Sequence, residues 1–270
     1  MDAEQTITLP TERMIARIEG SIGWMIFNNP ERRNAVSAEM NQAVPLIMDR
    51  FEADPNVRAI VLRGAGEKAF VAGADISQFE KNRATPEQIA KYDKIGEVAS
   101  KRLAETDKPT IAMINGWCVG GGVGIAITCD LRICSENSKF GIPAARLGLG
   151  YGAPGVKKLM DLVGPAHVKE IFFTARHFTA AEALGMGLVN RVVPEAELES
   201  YVRNYCALIA DNAPLTMRAL KRSVNELRKP SSDIDWAKCE RWVKECFDSQ
   251  DYIEGRRAFM EKRKPVFAGR

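Results

Sequence analysis

Three consecutive glycines, Gly120-Gly121-Gly122, separate a short apolar strand signal at 109–114 from an apolar helical stretch running from about Val123 to Cys129. Few backbones tolerate such a run. Without a Cβ, the chain can approach another backbone or a ligand closely. A helix that opens there also presents unsatisfied N–H groups at its positive end. Two outcomes are open at this point: tight main-chain packing, or a site for an anion, either bound or formed during a reaction.

A second turn weighs against packing alone. Arg58 to Arg63 (RAIVLR) reads as a strand, and Ala72-Gly73-Ala74 follows as a tight turn, with Asp75 placed to cap what comes next. The Ala74 N–H would be a second donor. Two converging N–H groups from separate strand-to-helix turns would form an oxyanion hole.

With both turns in view, the chain resembles the enoyl-CoA hydratase/isomerase, or crotonase, superfamily. The resemblance rests on six segments in order: FNNPERRNAVS (27–37), RAIVLRGAGEKAFVAGADI (58–76), KPTIAMINGWCVGGG (108–122), CDLRICSENSKFGIP (129–143), ALGMGLVNRVVP (183–194) and AFMEKRKPVF (258–267). It implies an α/β fold, a spiral of repeated ββα units with a C-terminal helical oligomerisation region. It also implies that Ala74 and Gly121 polarise an acyl-CoA thioester carbonyl, in fatty-acid or related acyl-CoA metabolism. Backbone atoms of Ala72, Asp75 and Ile76 resemble the adenine-binding edge. Phe259 and Lys262 match positions that contact the CoA nucleotide, often from a neighbouring subunit of a trimer or hexamer. CoA enters as part of the substrate, and no separate cofactor is implied.

The bulk properties agree with an enzyme of this kind. A chain of 270 residues can bury a large core, and 46% apolar with 27% charged residues argues against disorder. A net charge of +3 is too small to imply nucleic acid. No apolar run reaches ~18 residues, so no membrane span is expected. The N-terminus lacks a basic-then-apolar signal pattern, so the expected location is the cytoplasm. The cysteines (118, 129, 134, 206, 239, 246) form no CxxC pair and have no histidine at metal spacing. They read as buried thiols, with no metal site. His167 and His177 lie in no nucleophile motif, which argues against a histidine triad.

Along the chain, Met14 to Asn28 reads as a hairpin around Gly20-Ser21. Ser37 caps a helix with a stripe at Met40, Val44, Ile47 and Phe51, and Pro45 should kink it. Thr85-Pro86 opens a helix to about Glu105, with Ile89, Tyr92, Ile95, Ala99 and Leu103 on one face. Short strands follow at Leu131–Cys134 and Lys139–Gly141. No sequence period accompanies the repeated pattern. Beyond Pro154 the pattern is helical, with a break between 163 and 165 and a short extended link at 189–193. The expected organisation is a core at 1–195 and a helical cap at 196–270. Gly150 to Gly155 fits GxGxxG, but Arg146 to Leu149 is a poor strand and Pro154 falls in the expected loop. This argues against a nicotinamide or flavin site.

The resemblance breaks at the acid–base groups. Hydratases of the family use two glutamates, whose places here hold Gly124 and Ala144; a third carboxylate position used by some relatives is Gly152. Hydration needs a base for water and an acid for the α-carbon, which glycine and alanine cannot supply. Tyr151 resembles the tyrosine of family decarboxylases that also lack both glutamates. Its other reading is a loop aromatic with its hydroxyl in water. Arg146 offers a carboxylate contact or, more simply, a surface ion pair. Glu97 and Glu105 are candidate stand-in acids or plain exposed glutamates. Three functions remain open: an acyl-CoA enolate enzyme, a 2-carboxyacyl-CoA decarboxylase or carbon–carbon lyase using Tyr151, and a non-catalytic acyl-CoA-binding protein.

Overall fold

Strands β2 (Met14–Glu19) and β3 (Ile22–Phe27) form the expected hairpin, with Met14 opposite Phe27 and Glu19 opposite Ile22. The computed structural model describes residues 4–75 and 85–270. Strand β3 alternates in the way a strand between two apolar layers must. Ile22, Trp24 and Ile26 face one buried cluster, while Met25 and Phe27 face the other.

Three units of two strands each then set the architecture. Their first strands, β4 (Ala59–Gly64), β6 (Thr110–Ile114) and β8 (Leu131–Ser135), pair in parallel within a seven-stranded sheet. Their second strands, β5 (Ala69–Val71), β7 (Trp117–Val119) and β9 (Lys139–Gly141), pair in parallel within a smaller sheet of four. Each unit thus crosses from the large sheet to the small one before its helix. This is the spiral of ββα units, and the repeat lies in topology rather than in sequence. Strand β1 (Gln5–Ile7) and β11 (Arg191–Val193) complete the large sheet, and β10 (Phe178–Thr179) completes the small one.

Helix α1 (Ala38–Ala53) starts where expected. The Ser37 hydroxyl accepts from the Met40 N–H at 3.4 Å, and Met40, Val44, Ile47 and Phe51 are buried. The expected kink at Pro45 does not divide it, and one helix spans the proline. Burial of Val44, Ile47, Met48 and Phe51 around the proline offsets the missing backbone bond. Helix α2 (Pro86–Ala104) buries Tyr92, Ala99 and Leu103, but Ile89 is exposed. Helix α3 (Gly121–Ala126) begins two residues earlier than expected, at the second glycine itself.

Helix α4 (Ala153–Thr174) carries the expected break: Gly164 has φ 75° and ψ 166°. Helix α5 (Ala180–Gly185) and α6 (Leu198–Ala210) follow, and α6 packs Leu198, Val202 and Cys206 on the outer face of the large sheet. The chain ends in α7 (Pro214–Leu227), α8 (Trp236–Phe247) and α9 (Gln250–Glu261). Among the described residues, no helix is long and apolar enough to cross a membrane. The cysteines are unpaired thiols; Cys118, Cys129, Cys134 and Cys206 are buried, whereas Cys239 and Cys246 are only half-buried. Burial pushes the Cys129, Cys134 and Cys206 thiols up to about 12, so they stay protonated and unreactive.

Candidate active site

Strand β5 leads into the Ala72–Asp75 turn, where Gly73 has φ 114°, a conformation that favours glycine. The turn is tied to the segment before α1. Ala72 N–H donates to Arg33 O at 3.0 Å, Val36 N–H to Gly73 O at 2.8 Å, and Asp75 N–H to Val36 O at 2.9 Å. Successive peptide groups alternate in direction along extended backbone, so the Ala74 N–H points away from this ladder. The buried Asp75 carboxylate holds the turn from beneath, with Arg32 Nη1 at 2.9 Å and Arg13 Nη1 at 3.6 Å. The segment that Asp75 was expected to cap lies outside the described residues, as does Ile76.

The second turn follows β7. Gly120, at φ 55° and ψ −116°, caps α3 and donates to Gly141 O at 2.8 Å. Gly121 is the first helical residue, so its N–H has no partner within the helix. A Cβ built on Gly121 would lie 3.8 Å from Ala74 N, which sets the two donors side by side. Among the described residues neither N–H has an acceptor. Gly122 serves the packing reading instead, since a Cβ there would sit 2.0 Å from Val71 O. The packing reading therefore holds at Gly122, while Gly121 keeps the N–H, beside that of Ala74, which the other reading requires. Gly122→Ala is expected to destabilise the fold by about 3 kcal/mol, the upper end for overpacking, because a backbone carbonyl cannot swing aside. Chemical denaturation measures this, and a variant as stable as the parent would contradict the close approach.

Gly73, Ala74 and Gly121 open onto a cavity of about 330 Å³ lined mainly by apolar side chains. Tyr151 and Gly124 line the same cavity, and a Cβ on Gly124 would come 3.9 Å from the Tyr151 hydroxyl. The tyrosine thus stands against the place where a side chain at 124 would project. Its ring packs edge-on against Phe172, with centroids 5.0 Å apart, and Gly155 leaves room for it, since a Cβ there would lie 3.2 Å from the ring. Burial pushes the phenol above its ordinary value of 10.0. No group among the described residues accepts a hydrogen bond from it.

The other proposed groups stand apart. Ala144 is buried but does not line the cavity, and Gly152 does not reach it. Glu97 pairs with Lys94 at 3.1 Å on the exposed side of α2, and Glu105 caps the end of that helix; neither lines the cavity. Arg146 is exposed and makes no ion pair among the described residues, so the expected surface ion pair is not formed; it does not line the cavity. It lies in a 3-10 helix spanning Pro143–Leu147, and Pro154 sits in the first turn of α4 rather than in a loop. Phe259 is 82% exposed and, like Lys262, lies away from the cavity of its own chain.

Sequence reasoning missed the polar groups at the far end: Ser100 on α2, Thr128 after α3, and Lys158 on α4 all line the cavity. Lys158 Nζ lies 3.4 Å from Ser100 Oγ. Burial, helped by the Arg228 charge, lowers this lysine below its ordinary value. Among the described lining residues it carries the only formal charge, and no carboxylate is present.

A family model described as Enoyl-CoA hydratase/isomerase matches residues 17–270. The chain belongs to the enoyl-CoA hydratase/isomerase family. One relative is the short-chain-enoyl-CoA hydratase of Clostridium acetobutylicum, 37% identical over 253 residues, covering 93% of this chain and 95% of that protein. Another is the crotonyl-CoA hydratase of Syntrophomonas wolfei, 35% identical, covering 95% of this chain and 98% of that protein. Among solved structures, an enoyl-CoA hydratase/carnithine racemase from Magnetospirillum magneticum matches with a TM-score of 0.90 at 35% identity, over 96% of this chain and 97% of that one. The crotonase fold expected from the motifs is thus the fold of this family member.

Proposed function

We propose that this family member is an enzyme acting on an acyl-CoA thioester, whose carbonyl oxygen sits between the N–H groups of Ala74 and Gly121. The carrying observation is that these two donors are adjacent, open to one cavity and without acceptors among the described residues. Donors fixed in this way stabilise charge that develops on the oxygen as an enolate forms, without reorganising during the reaction. The names of its relatives, hydratases of CoA thioesters, support the same substrate class.

Within that class, the cavity favours cleavage of a carbon–carbon bond over addition of water. Hydration needs a base, and no carboxylate lines the cavity among the described residues. A phenol raised above its ordinary value stays protonated at neutral pH, so it cannot serve as the base but does carry a proton to donate. In decarboxylation of a 2-carboxyacyl-CoA, the breaking bond leaves its electron pair on the α-carbon and thioester oxygen, and carbon dioxide departs. The Tyr151 hydroxyl then protonates the α-carbon, and water restores the phenol. No general base is required. A non-catalytic acyl-CoA-binding role would use the paired donors only to hold the carbonyl and would leave the Tyr151 hydroxyl beside Gly124 without a task.

The nucleotide of CoA would lie along the Ala72–Asp75 edge. There the N–H groups of Ala72 and Asp75 are already committed, and the Ala72 carbonyl would accept from the adenine amino group. Phe259 and Lys262, remote from the cavity of their own chain, would serve a neighbouring subunit in a trimer or a hexamer. The test is product mass spectrometry in heavy-oxygen water with 2-enoyl-, 3-enoyl- and 2-carboxyacyl-CoAs. Loss of carbon dioxide from a 2-carboxyacyl-CoA is the expected result. Labelled 3-hydroxyacyl-CoA as the main product would establish hydration and remove Tyr151 from the assigned role.

A further inference from the structure

Lys158 is a cation placed where an apolar acyl chain would be expected to end. Thr128 and Lys158 also line a second cavity that neither Ala74 nor Gly121 reaches, so they mark the end of the first cavity remote from the paired donors. Helix α3 carries the chain ~8 Å from Gly121 to Ala126, and Thr128 lies beyond its end. Lys158 lines both cavities, but its ammonium head lies 3.4 Å from Oγ of Ser100, which lines only the first, so the charge stands at the border of the acyl space.

The lysine has no carboxylate partner among the described residues, and its one hydrogen bond, to Ser100 Oγ, is long at 3.4 Å. The nearby acid, Asp161, is held by Lys157 and by Arg228 at 2.8 Å. The adjacent Lys157 is therefore ion-paired, whereas Lys158 is not. An ammonium has three donors, so two remain after the contact with Ser100. The Ser100 hydroxyl, accepting from Lys158, keeps its own proton to donate. A half-buried cation without an acidic partner is a ready site for an incoming anion.

We propose that Lys158, with Ser100, selects acyl-CoA thioesters whose acyl chain ends in a carboxylate several carbons from the thioester. This deepens the proposed function and rests on its acyl-CoA reading. The bound carboxylate is not the one lost in the reaction, which must lie beside Tyr151 and the paired donors. Lys158 is thus a specificity residue.

The test is isothermal titration calorimetry with saturated, unreactive thioesters: mono-CoA esters of linear dicarboxylic acids against the matched monocarboxylic acyl-CoAs, from short to medium length. The unsubstituted protein is expected to bind one of the diacid thioesters roughly 10- to 100-fold more tightly than its uncharged match, as a hydrogen-bonded ion pair out of water would give. Lys158→Met should erase the preference while leaving the monoacid thioesters bound, and Lys158→Arg should keep part of it. Equal affinities in the unsubstituted protein would overturn the proposal with no variant needed. A preference that survives in Lys158→Met would overturn it as well. If Lys158 were instead an acid or base of the reaction, Lys158→Met would leave the affinity ratio of the two unreactive classes unchanged and would lower kcat alike on 2-carboxyacyl-CoAs with and without the terminal carboxylate. If no thioester bound at any length, the acyl-CoA reading itself would fail, which is distinct from equal binding of both classes.

Discussion

Tyr151→Phe is expected to lower turnover of a 2-carboxyacyl-CoA roughly 10²- to 10⁴-fold, the range for a positioned proton donor. Stability should barely change, because the ring keeps its edge contact with Phe172 and the hydroxyl leaves no partner behind among the described residues. Substrate affinity should also be nearly preserved, which places the loss in kcat. The pH dependence carries a sign. The donor works while protonated, so kcat falls as pH rises through the phenol's value. Burial raises that value above 10.0, so the parent enzyme should hold its rate to the alkaline limit of its stability. In heavy water the parent should place deuterium on one face of the α-carbon, and the variant on both. A Tyr151→Phe enzyme with full rate and unchanged stereochemistry would remove the tyrosine from the mechanism.

Gly121→Pro should cost roughly 10²- to 10³-fold in kcat, the measured scale for one donor of an oxyanion hole. The substitution is suited to this position. Gly121 is the first residue of α3, where proline is tolerated because the missing N–H makes no helical bond. A Cβ there meets nothing closer than 3.8 Å, and the preceding Gly120 is outside the right-handed helical region that proline disfavours in its predecessor. The melting temperature should therefore stay close to that of the parent. A folded variant with undiminished turnover would show that the Gly121 N–H does not stabilise the transition state.

What could be read from the sequence followed the range of the interactions involved. The hairpin at Met14–Phe27, the Ser37 cap and the break at Gly164 are set by neighbouring residues, and each is where local reasoning placed it. The two glycine turns were legible for the same reason. Strand β7 was not, because three residues between Gly116 and Gly120 become a strand only through pairing with β5 and β9. Pro45 does not break α1, because core contacts on both sides of it hold the helix together. Tyr151 could be named, but not its approach to Gly124, which depends on where α4 lies against α3. Lys158 gave no signal at all. Lys157 and Lys158 look alike on a helix, and only the proximity of α2 distinguishes the exposed, ion-paired lysine from the half-buried one.

The groups proposed to hold the thioester oxygen are peptide N–H groups beside Gly73 and Gly120. Main-chain donors do not ionise, oxidise or depend on a side chain's identity. Side chains that shape the rest of the cavity come from other elements: Tyr151 from the segment before α4, Lys158 from α4 itself, and the vacant position 124 from α3. Substitutions there can retarget the reaction or the acyl group while the oxygen's anchor persists. A laboratory lineage begun from this scaffold should accordingly change chemistry through positions 124, 151 and 158, whereas glycine-to-larger changes at 122 would close off every activity at once.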